Sequence, residues 1–156
     1  MKRAIFLAVV IACLSSLFIG AAEAQSDIGV RRFGIRGGLT VDPDQGHLGV
    51  HVNAGEFSDN LRFQPSFELG FGDDRVVAAI NLDALYTFDP RPLVPYLGAG
   101  LGVAVTDRDG DDDANVDAGL NIVGGFEWGD TSKYLLEARV GIGDIPEFKL
   151  TIGLNF

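Results

Sequence analysis

Apolar and polar side chains alternate along residues 32–156 in run after run, each bounded by turn-forming residues. Successive side chains of an extended strand point to opposite faces. A period of two therefore describes strands with one apolar and one polar face, where a helix would repeat every 3.6 residues. Eight such runs can be read, over residues 33–41, 47–55, 62–71, 78–88, 97–105, 116–128, 133–142 and 148–156. In the third, Phe63, Pro65, Phe67, Leu69 and Phe71 alternate with Gln64, Ser66, Glu68 and Gly70. Between the runs stand Asp42-Pro43-Asp44, Ser58-Asp59-Asn60, Gly72-Asp73-Asp74, Asp89-Pro90-Arg91-Pro92, residues 107–113, Gly129-Asp130-Thr131 and residues 143–146, all compositions that reverse the chain. Connections this short join antiparallel neighbours. The pattern predicts an all-β fold: an eight-stranded antiparallel up-and-down barrel.

Alternation alone does not say which face is inside. A soluble, lipocalin-like barrel binding an apolar ligand puts the greasy face inward, and a transmembrane barrel puts it outward against lipid. Three features favour the second. The polar faces are rich in glycine and carry both signs of charge, which suits a narrow filled interior. The runs are mostly about 9–11 residues, the length of a tilted membrane-crossing strand. Aromatic residues (Phe33, Phe63, Phe71, Tyr86, Phe88, Trp128, Tyr134, Phe148 and Phe156) stand near run ends, as in interfacial girdles.

The first segment has a different character. Lys2 and Arg3 precede an apolar stretch over residues 5–19, and Ala22-Glu23-Ala24 closes it. This is the pattern of a cleaved secretory signal peptide, residues 1–24, leaving a barrel domain over residues 25–156. An uncleaved membrane anchor is the competing reading. A lipidated terminus at Cys13, in Val10-Ile11-Ala12-Cys13, is another, against which apolar sequence continues past the cysteine. Cleavage would remove the single cysteine, and with it any disulfide or thiolate metal site. A formal net charge of −10 argues against a nucleic-acid partner, since nothing would neutralise a run of phosphates.

Several stretches together resemble a known family. Val94-Pro95-Tyr96-Leu97-Gly98-Ala99-Gly100-Leu101-Gly102-Val103 is similar to the fifth strand of small bacterial outer-membrane β-barrels of the OmpA-like and opacity-protein kind. Residues 119–127, Gly-Leu-Asn-Ile-Val-Gly-Gly-Phe-Glu, resemble the sixth. Leu136-Glu137-Ala138-Arg139 and Thr151-Ile152-Gly153-Leu154-Asn155-Phe156 resemble the last two. The resemblance implies residence in the cell outer membrane, with both termini periplasmic. It also implies contact with outer-membrane lipid and lipopolysaccharide, and recognition of the terminal Phe156 by the outer-membrane assembly machinery.

With polar faces inward, the lumen would hold Arg36, Arg62, Arg139 and Lys149 together with Glu68, Asp83, Asp117, Glu127 and Glu137. Charges confined in this way must pair, and eight strands leave an interior that side chains fill. The expected result is a plugged barrel with a structural or interaction role in the cell envelope. A narrow porin-like channel for small solutes is the alternative. Gly98, Gly100 and Gly102 mark where a small cavity would lie, or where the strand curves.

Two metal hypotheses arise. His47 and His51 share a strand face, with Asp44 and Glu56 nearby, but no third ligand stands at a diagnostic spacing. Asp107, Asp109, Asp111 and Asp113 alternate around Gly110 in what would be the longest external loop, and could offer hard oxygens to calcium. The spacing is not that of an EF-hand, and a solvated acidic loop is the plainer reading. No other cofactor is expected. Lipid A deacylases on small barrels use a Ser/His pair on the outer wall late in the chain. Here no histidine follows His51, and the last third holds only Ser132, in a turn. A nucleophile without a base in reach does not make an enzyme.

Overall fold

The computed structural model describes residues 29–42, 44–88, 92–108, 114–130 and 133–156. The expected signal segment lies outside them, as do Asp109, Asp111, Asp113 and Ser132. The described residues form strands β1 (Arg32–Val41), β2 (Gln45–Asn53), β3 (Glu56–Ser58), β4 (Leu61–Phe71), β5 (Arg75–Thr87), β6 (Leu93–Arg108), β7 (Asn115–Trp128), β8 (Lys133–Gly143) and β9 (Phe148–Asn155).

β1 pairs antiparallel with β2, successive strands from β3 to β9 pair antiparallel, and β1 pairs with β9 from Gly34↔Asn155 to Val41↔Phe148, which closes the sheet. Both β2 and β3 pair with β4, so they form a single stave and the barrel has eight. The break between them falls at Ala54 and Gly55. Gly55 takes a left-handed φ of 105°, its N–H donates to Asn53 Oδ1 at 3.1 Å, and the register with β4 shifts there. A side chain at that φ would be strained, and such bulges bend a strand as a closing barrel requires.

The turns fall where Asp, Asn, Gly and Pro cluster, and Asp42 and Asn60 adopt the positive φ that short polar side chains tolerate. Three staves are longer than the runs suggest: β5 has 13 residues, β6 has 16 and β7 has 14. β5 and β7 gain theirs at the end away from the termini and β6 at both ends, and the ladder of these three staves makes the wall taller on one side of the far end. Asp107 and Arg108, expected in a loop, are the last residues of β6, because the ladder with β5 continues through Val76↔Asp107 to Arg75↔Arg108.

The faces are decided by burial. Leu101, Leu120 and Ile152 are 58, 53 and 64% exposed, whereas Glu68, Asn121 and Arg139 are 1, 2 and 2% exposed. The outer wall is apolar and the lumen polar. That is the reverse of a soluble barrel, and it removes the lipocalin-like reading. The aromatic residues are unevenly placed. Four contacting pairs, Phe33–Phe156, Phe57–Phe63, Tyr86–Phe88 and Trp128–Tyr134, have ring centroids 5.2–5.8 Å apart. All four stand at the end carrying the termini, and Phe71 and Phe148 stand at the other. The girdle is concentrated at one rim.

Candidate functional site: the barrel lumen

Inward positions on β1, β4, β5, β8 and β9 bring Arg36, Glu68, Asp83, Glu137, Arg139 and Lys149 into one cluster. Each residue is polar by the strand period, and closure of the barrel places them across from one another. Arg139 lays its guanidinium along Asp83 in a two-bond fork, Nη1 to Oδ1 at 3.0 Å and Nη2 to Oδ2 at 2.7 Å, and also donates to Glu137 Oε1 at 3.1 Å. Arg36 reaches both Glu137 oxygens at 3.2 and 3.3 Å and Glu68 Oε1 at 3.4 Å. Lys149 Nζ donates to Glu68 Oε2 at 2.6 Å. Three cations and three carboxylates thus neutralise one another, as groups removed from water must. Charge-assisted, forked contacts of this kind are the strong members of the hydrogen-bond family.

Arg62 and Glu127 make a second ion pair nearer the termini, at 2.5 Å. Tyr96 links the two groups. Its hydroxyl donates to Glu137 Oε2 at 2.9 Å, and the Arg62 guanidinium lies 5.0 Å over its ring. The ring occupies the space above Gly125, where a Cβ would come within 2.6 Å of it. Asp117 lies apart from this network. It stands near the far mouth, partly exposed, and accepts from Asn115 Nδ2 at 2.8 and 2.9 Å.

The histidines are occupied by the lumen itself. His47 contacts Thr40 Oγ1 and Thr151 Oγ1 through its two ring nitrogens, each at 3.0 Å. His51 accepts from Arg36 Nε at 3.3 Å through Nδ1, and its Nε2 meets Asn155 Oδ1. Neither ring keeps a nitrogen free for a metal, and Asp44 and Glu56 are exposed at opposite mouths. Among the described residues no group of three His, Cys, Asp or Glu side chains is placed to hold an ion. Asp107 faces outward at the far rim, in the ladder with Val76.

The glycine stripe on β6 opens no cavity. A Cβ at Gly98 would meet Leu85, one at Gly100 would meet Asp83, and one at Gly102 would crowd Asn121 and Ile145. Bulky inward side chains already use that space. Ile145 comes from the β8–β9 turn, which folds back into the far mouth. It is buried there against Gly102, Gly119 and Gly141, where an added Cβ would come within 3.3, 2.8 and 3.0 Å of its side chain. The turn is tied down by Gly141 N–H donating to Glu147 O at 2.9 Å. A residual void of about 10 Å³ lies beside Ile145 and Lys149, toward the far mouth. Among the described residues, a recess of about 310 Å³ lies at the termini and one of about 250 Å³ at the far end.

Tyr96 could have been read from parity, since it shares its face with Gly98. No sequence signal marks Ile145, because a turn residue has no face until the turn is placed.

An apolar outer wall, a closed hydrogen-bonded edge and an ion-paired lumen define a membrane-spanning β-barrel, because closure is what satisfies every strand edge in lipid. Known structures share this fold. Neisserial surface protein A matches with a TM-score of 0.61 and 18% identity over 80% of this chain and 93% of that one. The N-terminal β-barrel domain of Pseudomonas aeruginosa OprF matches with 0.59 and 20% over 82% and 98%. The outer membrane enzyme PagL matches with 0.52 and 11% over 80% and 98%. No family model matches the chain, and no curated protein is significantly similar to it in sequence. The chain thus has the fold of the small outer-membrane β-barrels.

Proposed function

We propose that this chain is an integral barrel of the cell outer membrane with a structural or interaction role in the envelope, its lumen closed by the charged network. The observation that carries this reading is the ion-paired cluster of Arg36, Glu68, Asp83, Glu137, Arg139 and Lys149, which crosses the lumen from wall to wall. Four of the six side chains are held by two charged partners each, which supports a lumen closed to a continuous water path. On this reading the outer wall meets lipid, the far rim meets lipopolysaccharide, and the terminal strand ending in Phe156 is offered to the assembly machinery. The termini face the periplasm after removal of residues 1–24.

A non-enzymatic role fits the placement of the histidines. The outer-wall Ser/His chemistry of the lipid A deacylases needs an imidazole facing the membrane, and both imidazoles here are inside and engaged. The test uses the full chain expressed in a Gram-negative host. We expect it in the detergent-extracted outer-membrane fraction, migrating faster on gels before boiling than after, and silent in planar bilayers. Recovery in a detergent-free periplasmic extract would overturn the location, and steady unitary conductance would overturn the closed lumen. Lipid A acyl chains should be unchanged by mass spectrometry.

A further inference from the structure

The outer wall is not evenly covered by its side chains. An open groove of about 840 Å³ runs across it from Trp128 and Tyr134 at the terminal rim, past Ile35, Leu48 and Ile152, to Phe71 toward the far end. Two glycines hollow it out. β1 turns Ile35, Gly37 and Leu39 outward, and Gly37 is paired with Leu48 of β2 on one side and Ile152 of β9 on the other. Both neighbours are large and exposed, so the position without a side chain is a notch between them. On β2 the outward Gly46 stands in the row of Leu39 and Phe71, and a Cβ there would meet nothing within 4 Å. Neither glycine has a positive φ, so backbone conformation does not account for them.

The surface of the groove and its place on the wall select an occupant. Arg36 and His47 border it only with backbone, since their side chains are buried in the lumen. What remains is hydrocarbon and hydrogen-bonded ladder, continuous with the lipid-facing wall on either side. A second barrel would present another convex wall, which bridges the notch at Gly37 without entering it. A narrow, flexible hydrocarbon chain can enter, and gains the contacts that a gap forfeits. The Trp128 and Tyr134 rings, stacked with centroids 5.8 Å apart, flank the terminal end. Rings with an apolar body and a polar edge sit at headgroup level, so this pair marks where a chain passes from the interface into the groove.

We infer that this groove seats an acyl chain of a bilayer phospholipid, entering at the Trp128–Tyr134 rim and lying across Gly37 toward Gly46. The chain is recognised and the headgroup is not, because no charged side chain faces the groove. The inference rests on the membrane-spanning reading of the wall and goes beyond it. General contact with lipid gives every part of the wall the same occupant, whereas the notch gives this part a preference.

Trp128 is the chain's single tryptophan, so its fluorescence reports on the groove alone. The full chain is reconstituted in vesicles of a shorter-chain phosphatidylcholine, with heat-dependent gel mobility as the check on folding. A longer-chain phosphatidylcholine, brominated near the top of one chain, is then mixed in at rising mole fraction. We expect quenching of Trp128 to saturate at a mole fraction about fivefold below that of random mixing, the scale of about ten added van der Waals contacts. Phosphatidylglycerol with the same brominated chain should quench alike. Gly46→Leu, where a Cβ meets open space, should return quenching to the random-mixing curve with gel mobility unchanged. Gly37→Ala, which asks the Leu48 Cδ2 methyl to turn aside, narrows the notch and should weaken the preference. Random-mixing behaviour of the unaltered chain, a preference that survives both variants, or one that depends on the headgroup would overturn the site. So would a dimer that Gly46→Leu dissociates, since it gives the groove to a second copy. Failure of the unaltered chain to insert and show heat-dependent mobility would overturn the membrane-spanning reading itself, and this site with it.

Discussion

Arg139 and Asp83 stand 56 residues apart in the chain and meet in the lumen through two parallel hydrogen bonds of 3.0 and 2.7 Å. Removing one partner leaves the other charged, buried and only partly compensated. Asp83→Ala should therefore cost about 3–5 kcal/mol of stability. The double variant with Arg139→Ala should fall short of the summed single costs by about 1–3 kcal/mol, as contacting residues do. Urea unfolding in lipid vesicles gives all three values, and strict additivity would mean that the pair does not couple.

The outer wall makes a prediction that depends on depth. Leu101 lies midway along β6 and faces outward, while Leu93 stands at the aromatic rim opposite Trp128. Leu101→Arg should destabilise the barrel in bilayers by about 2–4 kcal/mol and Leu93→Arg by about 0–1. Equal, small costs at both positions would contradict an acyl-chain environment around the middle of the wall.

Tyr96 tests whether its hydroxyl matters to the network. Tyr96→Phe removes the donor to Glu137 Oε2 but keeps the ring under Arg62. A loss of about 1.5 kcal/mol is expected, the value of a hydrogen bond to a charged acceptor. Tyr86→Phe, in the exposed girdle, should stay within about 0.5 kcal/mol. If the two substitutions cost the same, the Tyr96 hydroxyl is not part of the lumen's electrostatics.

Ile145 predicts a local effect. Ile145→Ala empties the seat formed by Gly102, Gly119 and Gly141, at a cost of about 2 kcal/mol because the turn can relax. The Gly141 amide, bonded to Glu147 O, should lose hydrogen-exchange protection while the amides of β4 keep theirs. Unchanged protection at Gly141 would show that the turn is held by its backbone and not by this side chain.

Much of this molecule is legible in one dimension. A period of two needs only neighbours in sequence, so the strands around Phe67, Leu101, Leu120 and Ile152 and the turns at Asp42, Asn60 and Gly143 can be read directly. The polar parity of Arg36, Glu68, Asp83 and Arg139 is equally local. Partners are not local: that Lys149 meets Glu68, or that Tyr96 joins Glu137 to Arg62, depends on stagger around a closed wall. Asp117 illustrates the difference. Its parity matches that of Asn121 and Glu127, yet β7 is long enough to lift it to the far mouth, out of reach of the cluster.

The amino-acid order by itself determined the strands, their two faces and the inventory of lumen charges, because these follow from backbone geometry and composition at each position. Closure of β1 on β9 decided the rest. It set which charges face which, where the aromatic rings gather, and that a turn isoleucine folds inward onto three glycines. Those are distances across a barrel, and a distance across a barrel exists only once its first and last strands have met.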